Sequence, residues 1–108
     1  MRRLVCALLL VATTAIPTLA LAEDDAAMLE LADKSRCTAC HDVHEKVTGP
    51  AWADVAKRYR NDAGALERLV LKVREGGSGA WGTVPMSPNK RVPEENIRKL
   101  VAWILALK

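Results

Sequence analysis

Cys37-Thr38-Ala39-Cys40-His41 is the stretch around which the rest of the chain has to be arranged. It reads C-x-x-C-H, the spacing at which a c-type haem is attached covalently. Two cysteines three apart, and a histidine four from the first, share one face of a helical turn. Each thiol can form a thioether with a haem vinyl group, and the histidine can then ligate the iron from one side. The motif raises two questions about the remaining sequence. One is whether the chain is exported, and the other is whether a second ligand can reach the iron.

The chain has 108 residues, which suits one small domain. Residues 1–22 read as a secretory signal peptide. Arg2 and Arg3 supply the positive start, and Leu4 to Ile16 is an apolar run broken by Thr13 and Thr14. Ala20-Leu21-Ala22 is a small-x-small cleavage site, followed at once by Glu23-Asp24-Asp25. The run is shorter than the roughly 20 apolar residues of a membrane span. Cys6 precedes the end of the run and leaves with the signal, so residues 23–108 form the expected domain with Cys37 and Cys40 alone. Arg2-Arg3 has no further mark of folded-protein export. Haem attachment to an unfolded chain favours the general secretory route, with cleavage after Ala22 and a periplasmic location.

Sixteen Lys and Arg stand against 13 Asp and Glu, a formal net charge of +3, and two of the cations lie in the signal. A nearly neutral domain carries no electrostatic signature of nucleic-acid or membrane-surface binding. The expectation is no nucleic-acid partner, no stable membrane insertion and a monomer. The composition includes three Trp, one Tyr and no Phe. A domain this small has a marginal core and commonly needs a staple, a metal or a cofactor. A flat, largely apolar porphyrin would take the place of the missing aromatics.

Along the chain, Glu23 to Ala26 reads as a frayed start and Ala27 to Ser35 as a short helix with Met28, Leu31, Ala32 and Ser35 on one face. Gly49-Pro50 is a turn that stops any helix before it. Trp52 to Tyr59 follows as a second helix, and Asn61-Asp62 breaks it. Asp62 is a candidate N-cap for a third helix, Ala63 to Glu75, striped by Leu66, Leu69, Val70 and Val73. Gly76-Gly77 closes it. Gly76 to Val92 is a long loop whose interior Trp81, Val84, Pro85 and Met86 argue for order. Pro93 opens the last helix, with Glu94 and Glu95 in its first turn and Ile97, Leu100, Val101, Ile104 and Leu105 as its stripe. No alternating β pattern of useful length appears. The predicted fold class is all-α, with about four short helices and one long structured loop.

Candidates for the second ligand are His44, Met28 and Met86. His44 is too close to His41 in the chain to reach the opposite face of the same haem. Met28, on the helix leading into the motif, reads as packing. Met86 stands between Pro85 and Ser87-Pro88-Asn89, in a loop stiffened by proline. A methionine there can also simply fill a gap in the core. The rigid loop and the C-x-x-C-H motif together favour ligation. A thioether opposite histidine raises the potential of a haem.

With these segments in view, the chain resembles the small class I bacterial cytochromes c, in particular the cytochrome c-551 group. The resemblance rests on Cys37-Thr38-Ala39-Cys40-His41, Val47-Thr48-Gly49-Pro50-Ala51, Asp54-Val55-Ala56, Gly79-Ala80-Trp81-Gly82, Val84-Pro85-Met86 with Pro88-Asn89, and the terminal helix bearing Trp103. It implies a four-helix cytochrome c fold with one haem c, attached through Cys37 and Cys40, its iron held by His41 and Met86. It also implies supporting roles. The Pro50 carbonyl would accept a hydrogen bond from the His41 ring. The Trp81 indole would donate to a haem propionate, Asn89 would hold the Met86 sulfur, and Lys72 would pair with a propionate. Trp52, Tyr59 and Trp103 read as core packing. Three features depart from the family pattern: Arg36 where relatives have a small residue, Ser87 in place of a proline, and a longer Lys90-Arg91-Val92-Pro93 segment without the usual Ser cap.

The function this implies is a periplasmic electron-transfer protein that shuttles one electron through a six-coordinate iron and is not an enzyme. Implied partners are redox proteins, with the cytochrome bc1 complex as donor and nitrite reductase or a terminal oxidase as acceptor, in respiration and denitrification. Lys34, Arg36, Lys46, Lys90 and Arg91 would border the docking surface. The alternative is a haem enzyme or gas-binding sensor whose distal ligand is displaceable. A zinc site from Cys37, Cys40, His41 and His44 is too crowded along the chain, and a thioredoxin-like role lacks the βαβ context.

Overall fold

A computed structural model describes residues 20–108, with side chains from residue 25 onward. The signal-peptide assignment falls mostly on residues outside this range. Four helices follow one another: α1 (Ala20–Lys34), α2 (Trp52–Arg58), α3 (Ala65–Glu75) and α4 (Glu94–Leu105). A single 3₁₀ turn, Cys37–Ala39, follows α1, and a hairpin of two strands, β1 (Gly77–Gly79) and β2 (Gly82–Met86), follows α3.

The helix α1 begins earlier than the expected Ala27. Residues 20–32 are dominated by Ala, Leu, Met and Glu, all strong helix formers, so nothing local ends it sooner. It buries Ala32 and stops where Arg36 takes a left-handed backbone, φ 61°. That conformation costs least for glycine, so a side chain as large as arginine adopts it at a cost. In α2, Trp52, Val55 and Ala56 are buried, and Asn61, a residue type that tolerates the left-handed region, turns the chain at φ 68°. Asp62 does not cap α3 directly. Its Oδ1 accepts from the Gly64 amide at 3.1 Å, and the turn it makes delays the helix to Ala65. Pro93 sits one residue before α4, as its N-cap, where its carbonyl accepts from the Asn96 and Ile97 amides at 2.9 and 3.1 Å.

The hairpin corrects the expectation of a strand-free loop. Its strands are antiparallel, pairing Gly77 with Met86 and Gly79 with Gly82. Gly-Ser-Gly in β1 has no side chains to alternate, so period-two reading cannot find it. Gly76 makes the approach possible. It has φ 70°, and a Cβ on it would stand 2.4 Å from the Met86 carbonyl oxygen. The Asn89 amide donates to the Val73 carbonyl at 2.9 Å and ties the end of the loop back to α3.

The helix α4 packs on α1, α2 and α3. Two apolar clusters result. Ala32, Trp52 and Leu100 anchor one, and Val70, Ile97 and Val101 anchor the other. Neither is large: Ile97 is the only bulky side chain fully buried among the described residues. Both clusters face a cavity of about 1220 Å³, lined by Trp52 and Leu100 from the first and by Ile97 and Val101 from the second. That volume exceeds the ~300–1,000 Å³ of most ligand pockets.

Candidate functional site

The 3₁₀ turn sets the spacing of the first wall of the cavity. The Cys37 carbonyl accepts from the Cys40 amide at 3.2 Å and the His41 amide at 3.0 Å, which holds both thiols and the imidazole on one turn. Cys37 packs under the first cluster, and burial pushes its thiol pKa up, whereas Cys40 is exposed. The two cysteines form no disulfide with each other. A compact loop then brings the chain back over the histidine. The Gly49 amide donates to the Cys40 carbonyl at 2.7 Å, and Trp52 and Ala53 donate to the Asp42 and Val43 carbonyls at 3.0 and 2.9 Å. Asp42 accepts from the His44 and Glu45 amides at 2.8 and 2.9 Å, and these bonds, led by that from His44, hold its carboxyl below the usual range.

The loop fixes the imidazole chemically as well as sterically. His41 Nδ1 lies 2.8 Å from the Pro50 carbonyl oxygen. A carbonyl can only accept, so Nδ1 carries the proton and, in the neutral ring, Nε2 carries the lone pair. Nε2 is therefore the nitrogen available to a metal, and the hydrogen bond at Nδ1 raises its basicity. Gly49 is packed so closely against the ring that a Cβ would stand 2.4 Å from Cε1. Trp52 stacks on the ring, with centroids 5.7 Å apart and planes 20° from parallel.

Met86, Asn89, Lys72 and Trp81 line the same cavity as Cys37, Cys40, His41 and Pro50. Met28 and His44 are absent from its lining, which leaves Met86 as the methionine that lines it among the described residues. Met86 is half-buried at the end of β2, and Asn89 is half-buried beside it. The Lys72 side chain runs beside Gly77, where Nζ lies 3.5 Å from the position a Cβ would take. Trp81, at the hairpin turn, is 41% exposed. The Arg58 guanidinium lies over its ring, 4.6 Å from the centroid, and also donates to the Ala80 carbonyl. Arg58 thus pins the hairpin to α2, a role that its place in the basic run Lys57-Arg58 conceals in the sequence. The donor set fits a haem held by two thioethers, with an imidazole and a thioether available to its iron and apolar walls around it.

A protein-family model described as cytochrome c matches residues 29–108. The chain belongs to the cytochrome c family. It is 57% identical over 79 residues to cytochrome c-551 of Allochromatium vinosum, covering 73% of this chain and 84% of the relative. It is 46% identical over 79 residues to cytochrome c-552 of Hydrogenobacter thermophilus, covering 73% and 80%. Its structure is similar to the crystal structure of Nitrosomonas europaea cytochrome c552, with a TM-score of 0.71 and 44% identity over 74% of this chain and 99% of that one. The fold is that of a class I cytochrome c, and the chain falls with the small c-551 group. Cytochromes c carry one covalently bound haem c, and Cys37 and Cys40 stand in the motif that attaches it. This cytochrome c is accordingly a haem-bearing electron carrier that works with redox partners. No helix among the described residues is long and apolar enough to cross a membrane.

Proposed function

We propose that this cytochrome c is an exported, soluble carrier of single electrons, not an enzyme, with His41 and Met86 as the two axial ligands of its haem iron. The observation that supports this most is the His41–Pro50 contact of 2.8 Å, because it assigns the proton to Nδ1 and leaves Nε2 free for the metal. When bound, the haem supplies reversible one-electron chemistry at iron. The chain's own residues do the rest. Cys37 and Cys40 hold the group, and Pro50 orients the imidazole. Met86, tied down by Gly76 behind it and by the Asn89–Val73 bond after it, supplies the thioether that favours the reduced state. Asn89 would donate to that sulfur, and Trp81 and Lys72, which line the same cavity, would hold the propionates. With His41 and Met86 both holding the iron, no position on it would be open to a substrate.

Residues 1–22 act as the signal, removed after Ala22, and residues 23–108 are the carrier domain in the periplasm. The cytochrome bc1 complex donates electrons to it, and nitrite reductase or a terminal oxidase accepts them. Of the five cations expected on the docking rim, Lys34, Arg36, Lys46 and Arg91 border the cavity, as do the exposed Val47 and Val84. Lys34 is paired with Glu30 at 2.5 Å, but no ion pair among the described residues involves Arg36, Lys46 or Arg91. Unpaired cations around a small apolar patch suit weak, transient docking with an acidic partner. Lys90, expected on this rim, pairs with Glu75 at 3.4 Å and does not line the cavity.

Carbon monoxide added to the reduced, haem-loaded protein tests the filled distal position. The expected result is an unchanged spectrum. Fast, tight binding would replace the carrier with a gas-binding or catalytic haem.

A further inference from the structure

We propose that Trp52 is the positioning residue that sets the plane of the His41 ring and, through it, the electronic axes of the haem. The inference rests on the assignment of His41 as an iron ligand. A hydrogen bond fixes one atom of an imidazole and leaves the ring able to pivot. The bond from Nδ1 to Pro50, at 2.8 Å, therefore does not by itself define a plane. The indole of Trp52 does, because it lies nearly parallel to the imidazole, 20° off, with centroids 5.7 Å apart. That separation is within the range of offset aromatic stacking.

Trp52 is itself held firmly enough to act as a reference surface. It is only 4% exposed. Its amide donates to the Asp42 carbonyl at 3.0 Å, which ties its backbone to the residue after the histidine. Trp103 meets it edge-on, with centroids 5.8 Å apart and planes at 77°. Trp103 is anchored in turn by its indole N–H, which donates to Asp25 at 2.8 Å. The orientation of one imidazole is thus referred through two indoles to the start of the domain. Gly49 closes the remaining side, since any side chain there would meet the ring.

The consequence is electronic. The plane of an axial imidazole selects the iron orbital with which it overlaps, and this sets how unpaired spin spreads over the haem in the oxidised state. The haem methyl signals in the proton spectrum of the oxidised, haem-loaded protein report that spread directly. In Trp52→Leu the order or spacing of these signals should change, and in Trp52→Phe, which keeps a flat face, it should return toward the wild-type pattern. Val70→Ala serves as the comparison, because Val70 is 3% exposed yet does not line the haem cavity. It should lose stability and keep the wild-type pattern. An unchanged methyl pattern in Trp52→Leu overturns the proposal, as does a shift of equal size in Val70→Ala. A wild-type spectrum without low-spin imidazole ligation would instead overturn the assignment of His41, and the inference with it.

Discussion

Replacing Gly49 by alanine tests how tightly the chain grips its histidine. The added carbon would stand 2.4 Å from Cε1, 2.8 Å from Nδ1 and 2.9 Å from Nε2 of His41. Carbon contacts are comfortable at ~3.5–4.0 Å, so ring and backbone must separate by roughly 1 Å. The Nδ1–Pro50 bond is 2.8 Å long, and stretching it by ~1 Å takes it beyond hydrogen-bonding range. Overpacking costs about 1–3 kcal/mol. The lost bond adds about 1 kcal/mol. Together they predict a loss of about 2–4 kcal/mol, which for a domain of this size lowers Tm by roughly 8–30 °C. The assay is reversible urea and thermal unfolding of the haem-loaded protein, wild type beside Gly49→Ala. A loss under about 0.5 kcal/mol, the size of an ordinary surface change, would show that the ring can swing aside and that the grip is not real.

Other outcomes follow from the charges. Hydrogen bonds from Arg98 and Arg68 hold the carboxyls of Glu67 and Asp62 below their ordinary values of 4.5 and 3.8. A depressed folded pKa gives stability that is full above the unfolded value and is lost as pH falls through the folded one. Unfolding should therefore be flat in pH from neutrality down to about 5 and weaken below about 4.5, with a shallower slope in Glu67→Gln. Both groups are exposed, so the change is small. A slope in Glu67→Gln equal to the wild-type slope would remove this pair from the account. At the cavity mouth, electron transfer with an acidic partner should slow as salt rises through about 0.1 M, where the screening length falls to ~10 Å. The combined Arg36→Gln, Lys46→Gln and Arg91→Gln variant should be slower at low salt and nearly insensitive to salt. A wild-type rate already flat in ionic strength would rule out steering.

How much of this was legible in the sequence depended on the kind of signal. The helices α3 and α4 announce themselves because their apolar residues recur at helical spacing, and Gly76 and Pro93 mark an end and a start. The attachment residues are legible because covalent chemistry demands a fixed spacing. Pro50 came through resemblance, and its contact with His41 is present at 2.8 Å. The hairpin was not legible, because its first strand is built from glycines that leave no side-chain pattern. Nor was the pairing of Arg58 with Trp81, which links residues 23 apart through a surface contact. Trp52 read as core packing, and it is buried. Its second role on the face of His41 depends on the loop at Asp42 and Gly49 folding back, which is a tertiary event with no local signature.

The claim on which the rest depends is that Met86 occupies the iron face opposite His41. The most direct measurement is the proton spectrum of the reduced, haem-loaded protein with labelled methionine methyl groups. A methyl held over the porphyrin plane is shielded by the ring current and moves far upfield of all other protein signals. One labelled methyl should appear there in the wild type and in Met28→Leu, and should vanish in Met86→Ala. A reduced spectrum with no such methyl, or one in which the signal survives Met86→Ala, would contradict the account.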